Sequence, residues 1–166
     1  LKLLKSEVFS VHAACVAHDG FAVLMPAMPM TGKTLTTLEL LNKGYDYMAD
    51  DTLMVDKNGT AYCYPIQSAV APYILSSVNR LSRLKRLELR LRSFVRSFPG
   101  VTKIVRPFMG KPWELVEGAK IAPSAKIGAI CLLEFGAEGI EELDKESTLR
   151  KIMAINRYSL PRPWFN

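Results

Sequence analysis

The amino-acid sequence predicts an α/β fold: a mixed central sheet built with hairpins, flanked by helices. Three observations predict it. Two pairs of short apolar runs are each joined by an Asp-Gly or Asn-Gly turn, a Gly-Lys-Thr loop stands between a strand pattern and a helix pattern, and 166 residues at 49% hydrophobic composition suffice to bury one core. A single domain over residues 1–166 is expected, and because the chain opens on Leu1 rather than Met, a piece of a longer protein is expected too.

The run VFSVHAACVA, residues 8–17, mixes β-branched, aromatic and small apolar residues and reads as a strand. FAVLMP, residues 21–26, reads as its hairpin partner across Asp19-Gly20, because glycine tolerates the positive φ that tight primed turns demand. The hairpin feeds the loop PAMPMTGKT, residues 26–34. After Lys33, Leu35, Leu38 and Leu41 fall at helical spacing, Leu40 widens the stripe, and Gly44 stands where a helix would end. YDYMADD is a short strand running into Asp50 and Asp51, and TLMVDKNGTAYCYP is a second hairpin about Asn58-Gly59.

From Leu75 to Phe98 the pattern turns helical: Val78, Leu81, Leu84, Leu87, Leu91 and Phe94 or Val95 form an apolar stripe, with Arg80, Arg83, Arg86 and Arg90 off it. Residues 93–113 hold three prolines and read as a connecting loop; KIGAICLLEF, residues 126–135, reads as a buried strand, and residues 143–158 as a last helix capped by Asp144.

The longest apolar run, Phe21 to Met30, is broken by two prolines and too short to cross a bilayer. Cys15, Cys63 and Cys131 are odd in number and far apart, with only His12 and His18 beside them, which argues against a disulfide framework or a structural zinc and for the reducing cytoplasm. The net charge of +6 is local: residues 77–111 hold ten Lys/Arg against Glu88 alone, leaving the rest of the chain at −3. That basic segment fits a solvated helix face, a docking surface for an acidic peptide or protein, or contacts with nucleic-acid phosphates. Stacking aromatics do not interleave the arginines of the helical pattern, which disfavours single-strand binding and leaves a duplex-backbone role possible, nucleic acid being the least expected of the three.

A loop joining a strand to a helix turns several backbone N–H groups toward one point, and the helix dipole favours an anion there. Lys33 would then neutralise the β/γ-phosphates of a nucleotide, and the Thr34 hydroxyl would take one position on Mg²⁺. Asp50 and Asp51, adjacent at a strand end, point different ways and divide the remaining work between metal and a general base. The bland alternative is a solvated helix-start lysine and an acidic turn. Pro29 has no N–H to offer phosphate, and Ala27 stands where the pattern G-x-x-x-x-G-K-[ST] asks for its first glycine.

From about Val8 to Pro65 the chain resembles the HPr kinase/phosphorylase family and its HPr-kinase-related relatives, a P-loop kinase fold that is also similar to the nucleotide-binding part of phosphoenolpyruvate carboxykinases. The resemblance lies in VHAACVAHDGFAVLMPAMPMTGKTLTTLELLNKGYDYMADD, with His12 placed 21 residues before Lys33 and Asp50 placed 17 after it. A loop opening on Pro-Ala with a further proline is similar to that of the related kinases, and on that resemblance Ala27 and Pro29 are subgroup features while Met30 stands in place of a glycine. The E-[IV]-R-G-x-G signature of true HPr kinase/phosphorylases is missing from the second half of the chain.

The resemblance implies an ATP- and Mg-dependent serine kinase. Ala27, Met28, Pro29, Met30, Thr31, Gly32, Lys33 and Thr34 would form its nucleotide loop, and Thr34 and Asp50 would hold the metal. Asp51 would be the base toward a serine hydroxyl, and His12 would stand beside the transferring phosphate. His12 is otherwise a histidine paired within its hairpin. The acceptor is a serine-bearing peptide, protein or small molecule, and the family's hexamers imply homo-oligomers by analogy. The rival readings are a nucleotide-binding module without catalysis and a basic partner- or nucleic-acid-binding domain with a vestigial loop.

Overall fold

A computed structural model describes residues 7–69, 109–136 and 138–159, together with Leu87, Leu91 and Phe94. Twelve elements follow one another along these residues. Strands β1 (Val8–Val11), β2 (Ala13–His18) and β3 (Phe21–Pro26) precede helix α1 (Lys33–Asn42). Strands β4 (Asp46–Ala49), β5 (Leu53–Asp56), β6 (Thr60–Tyr62), β7 (Ser68–Ala69) and β8 (Met109–Gly110) come next. The short helix α2 (Pro112–Leu115), strand β9 (Ser124–Ile130) and helix α3 (Lys145–Ser159) complete the described chain. Seven strands form one mixed sheet in the order β1-β5-β6-β9-β3-β2-β4, and β7 pairs with β8 apart from it.

Both expected hairpins form. β2 and β3 pair antiparallel down to His18 opposite Phe21, across a turn in which Asp19 and Gly20 take φ of 49° and 83°. Positive φ at both central residues is the type I′ geometry that suits the right-handed twist of paired strands. In the β5–β6 hairpin the Asp56 carboxylate accepts from the N–H groups of Asn58 and Thr60, both at 2.8 Å, and so folds the turn around Asn58-Gly59.

The run 8–17 is not one strand. It breaks at His12, so that β1 pairs with β5 at one end of the sheet while β2 pairs with β3 and β4 at the other. Four strands separate β1 from β2 in the pairing order, yet only His12 separates them in sequence. Strands pair about 4.8 Å apart, so a flat sheet would hold the two more than 20 Å from each other, beyond the reach of a one-residue link. The sheet therefore curls until its two ends meet at His12.

β2 is buried from Ala13 to Ala17 because both its faces are covered. Ala14 and Val16 join Met25, Leu38, Leu41, Tyr47 and Leu115 in a core under α1 and α2. Cys15 and Ala17 point the other way, into a core with Leu24, Met48, Leu53 and Ala61 inside the curl. Leu38 and Leu41, at 0% and 2% exposure, anchor α1, each worth roughly 1.5–3 kcal/mol of burial. The predicted last helix forms with Asp144 as its cap, accepting from the N–H groups of Glu146 and Ser147.

β9 corrects the sequence reading. It spans Ser124–Ile130 rather than 126–135, and most of its side chains are exposed or half-buried. Its place in the sheet rests on backbone pairing, antiparallel to β6 and parallel to β3, more than on apolar packing. Of the basic segment, Leu87, Leu91 and Phe94 are helical and exposed. The end of the expected loop 93–113 is instead structured, as β8 and the first residues of α2, because Met109 and Gly110 pair with β7 and Pro112 suits the first turn of a helix. The remaining residues of the expected helix and loop lie outside the described residues.

Candidate functional site

β2 runs antiparallel to both of its neighbours, β3 and β4, so its first end lies beside their last ends. The chain enters β2 through His12, leaves β3 through the loop 27–32 into Lys33, and leaves β4 into Asp50 and Asp51. Topology thus gathers four groups spread over 40 residues. Lys33 Nζ lies 3.1 Å from His12 Nε2, His12 Nδ1 lies 3.4 Å from Asp51 Oδ1, and Thr34 Oγ1 donates to Asp50 Oδ2 at 2.8 Å.

The loop's residue choices have local reasons. Ala27 continues β3, bridging to Leu133 beside a Leu133 N–H to Pro26 carbonyl bond of 3.1 Å, and its side chain is fully buried. A methyl group is therefore accommodated in the core, and only the Ala27 carbonyl faces the site, accepting from Lys33 Nζ at 2.8 Å. The Met28 carbonyl closes the turn, accepting from Thr31 Oγ1 at 2.6 Å and from Lys33 Nζ at 3.2 Å. Pro29 is exposed, and Thr31 and Gly32 are half-buried.

Met30 adopts a left-handed φ of 66° and is 89% exposed. Its side chain points to solvent and does not narrow the loop's interior; what it costs is backbone strain, on the order of 1–2 kcal/mol for a residue with a Cβ. Met30→Gly is expected to raise stability by about 1 kcal/mol, since glycine removes that strain and gives back only part of it as unfolded-chain entropy. Thermal denaturation measures this, and an unchanged or lowered midpoint would show the Met30 conformation to be unstrained.

Gly32, with φ of 99°, precedes α1 and offers no side-chain cap. The first intrahelical bond runs from Thr36 N–H to the Gly32 carbonyl, so the N–H groups of the first turn face the loop without helical partners. The helix start is thus electropositive.

Burial lowers the pKa of Lys33, with Asp51 and Asp50 working against it. Burial likewise lowers the pKa of His12, assisted by Lys33 and opposed by Asp51. A neutral His12 follows at neutral pH. Its Nε2 then accepts from the Lys33 ammonium and its Nδ1–H faces Asp51, the tautomer both neighbours favour. Asp50 is 3% exposed while the side chain of Asp51 is 56% exposed, so the two acids do divide: one inside against Thr34, the other at the surface beside His12.

Asn156 was not legible as a site residue. Its side-chain oxygen accepts from the backbone N–H of His12 at 2.8 Å, tying α3 to the site. The one sequence signal is weak: asparagine is a poor helix-interior residue, and here it sits in the middle of a helical pattern. His18 stands apart from the site, stacked on Tyr45 at 4.7 Å. Burial pushes the Cys15 thiol up to about 12 and the Cys63 thiol to about 11, so neither is a thiolate nucleophile at neutral pH.

Among the described residues no cluster of three or more His, Cys, Asp or Glu side chains gathers to hold a metal ion, and no helix is long and apolar enough to cross a membrane. The Thr34–Asp50 pair nevertheless fits Mg²⁺, which binds through one or two protein oxygens and completes its shell with phosphates and water. Thr34 gives its hydroxyl proton to Asp50, which leaves its oxygen lone pairs available.

No protein-family model matches the chain, and no curated protein matches it. Among solved structures it is similar to the HPr(Ser) kinase/phosphatase from Coxiella burnetii, at 13% identity and a TM-score of 0.41, over 75% of this chain and 64% of that one. The chain thus spans under two thirds of that protein's length.

Proposed function

We propose that this protein is an ATP-dependent kinase that transfers the γ-phosphoryl group to a serine hydroxyl of a peptide, a protein or a small molecule. The observation that carries the reading is the meeting, at the uncapped start of α1, of a buried lysine, a hydroxyl–carboxylate pair and a histidine–carboxylate pair. Phosphoryl transfer needs mainly positioning and charge neutralisation, and these groups supply both.

The first-turn N–H groups of α1 and the Lys33 ammonium bind the phosphate oxygens. Lys33 must first exchange partners, because its three donor positions are taken by the Ala27 and Met28 carbonyls and by His12. Thr34 and Asp50 would hold Mg²⁺, which when bound supplies charge neutralisation between the phosphates. Asp51, exposed and acidic, accepts the proton of the serine hydroxyl as its oxygen forms the new bond to phosphorus and the bond from the γ-phosphorus to the bridging oxygen of ADP breaks. His12 keeps the Lys33 and Asp51 side chains on either side of one imidazole.

Calorimetric titration with Mg-ATP, followed by incubation with serine-containing peptides and assay for ADP and phosphoserine, tests the proposal. Saturable binding with phosphoserine formation is expected. Binding without ADP would leave a nucleotide-binding module, and no binding at all would remove the nucleotide reading altogether.

A further inference from the structure

Asn156 makes two side-chain hydrogen bonds that together fix its amide. Its Oδ1 accepts from the His12 N–H at 2.8 Å, and its Nδ2 donates to the Ile152 carbonyl at 2.9 Å. The two partners admit one orientation only, since an N–H cannot accept and a carbonyl cannot donate. Its neighbour Ile155 is 7% exposed, so this turn of α3 is seated in the protein.

The residue it holds is the link where the curled sheet meets itself. His12 lies between β1 and β2 and belongs to neither ladder, so its N–H relies on a partner outside the sheet. That backbone carries the imidazole standing between Lys33 Nζ at 3.1 Å and Asp51 Oδ1 at 3.4 Å. A displacement of the His12 backbone would change both distances together, since one imidazole carries both contacts.

We infer that Asn156 is a positioning residue: by holding the His12 backbone it sets the imidazole between Lys33 and Asp51, and so makes α3 part of the site. The effect on turnover rests on the kinase reading above; the effect on His12 itself does not. Asparagine is suited to the task because one short side chain carries both an acceptor for His12 and a donor for its own helix.

The test compares the wild-type protein with Asn156→Ala and Asn156→Asp, the latter keeping an acceptor oxygen at the same reach. In Asn156→Ala the His12 amide is expected to exchange with solvent at least about tenfold faster, while amides in the centre of β2 keep their protection. The His12 ring nitrogens, read by ¹⁵N spectroscopy, are expected to lose their single tautomer. Turnover is expected to fall by about 10- to 100-fold with ATP affinity nearly unchanged, as for a misplaced but intact group. Asn156→Asp keeps the acceptor for His12 but loses the donor to the Ile152 carbonyl, so it should recover much of the amide protection and part of the turnover that Asn156→Ala loses.

An Asn156→Ala protein with wild-type amide exchange and ring spectrum would overturn the inference, as would a turnover loss that Asn156→Asp does not recover even in part. If the wild-type protein transfers no phosphate, the kinase reading fails, and the amide and ring measurements still decide whether Asn156 places His12. Should Asn156→Ala not fold, Asn156→Ser, too short to reach His12, replaces it with the same expected results.

Discussion

Lys33→Ala is expected to abolish measurable phosphoryl transfer, with a loss of at least roughly 10²–10³-fold, the scale for removing one preorganised charge-stabilising donor. Lys33 is 8% exposed and is the cation at the uncapped start of α1, where it touches His12 and two loop carbonyls. Alanine also strips those carbonyls of a donor, which costs about 1–3 kcal/mol if water does not enter. Lys33→Met makes a useful companion: it fills the space and removes the buried charge but leaves the same two carbonyls without that donor, so it should fold with a lowered melting temperature while transferring no phosphate. A Lys33→Met protein as active as wild type would remove Lys33 from the chemistry.

Asp51→Asn is expected to lower turnover by about 10²–10⁴-fold while leaving Mg-ATP affinity almost unchanged, since a general base acts on the acceptor proton and not on the nucleotide. The contrast is with Asp50, which is buried against Thr34 and belongs to the metal side of the site. Asp50→Asn should weaken Mg-dependent ATP binding, so the two substitutions separate binding from chemistry. Single-turnover kinetics at saturating ATP make the measurement. A collapse of ATP affinity in Asp51→Asn with normal turnover of the remaining complex would reverse the assigned roles.

The parts of the molecule legible in the sequence are those fixed by short-range chemistry. Asp19-Gly20 and Asn58-Gly59 dictate their turns through backbone φ, Gly44 and the leucine spacing bound α1, and Asp144 caps α3. The meeting of Lys33 with Asp50 and Asp51 was legible in a strand–loop–helix–strand order, whereas His12 was expected there only through the family resemblance. Three features were not. The break at His12 depends on where β1 and β2 find partners, and residues 8–17 have strand character throughout. β9 reads as a buried strand because the same apolar residues suit either an interior or a backbone-paired, half-exposed position. The Asn156 contact joins residues 144 positions apart, and no local pattern reports such a pairing. Ala27 and Met30 also changed meaning: the Ala27 methyl belongs to the core, and the Met30 side chain lies outside the loop.

The position of β9 has a consequence for how the protein is made. β1 to β6 lie within residues 8–62, but β9 begins at Ser124 and fills the middle of the sheet, between β6 and β3. A nascent chain thus emerges with every proposed phosphate-handling residue in place and a sheet with a gap at its centre. Until β9 arrives, β3 and β6 each present an unpaired edge, a template for joining another chain. Truncation before residue 124 would open the sheet internally instead of trimming its rim, so the N-terminal third holds the proposed chemistry but needs the distant strand to become one continuous sheet.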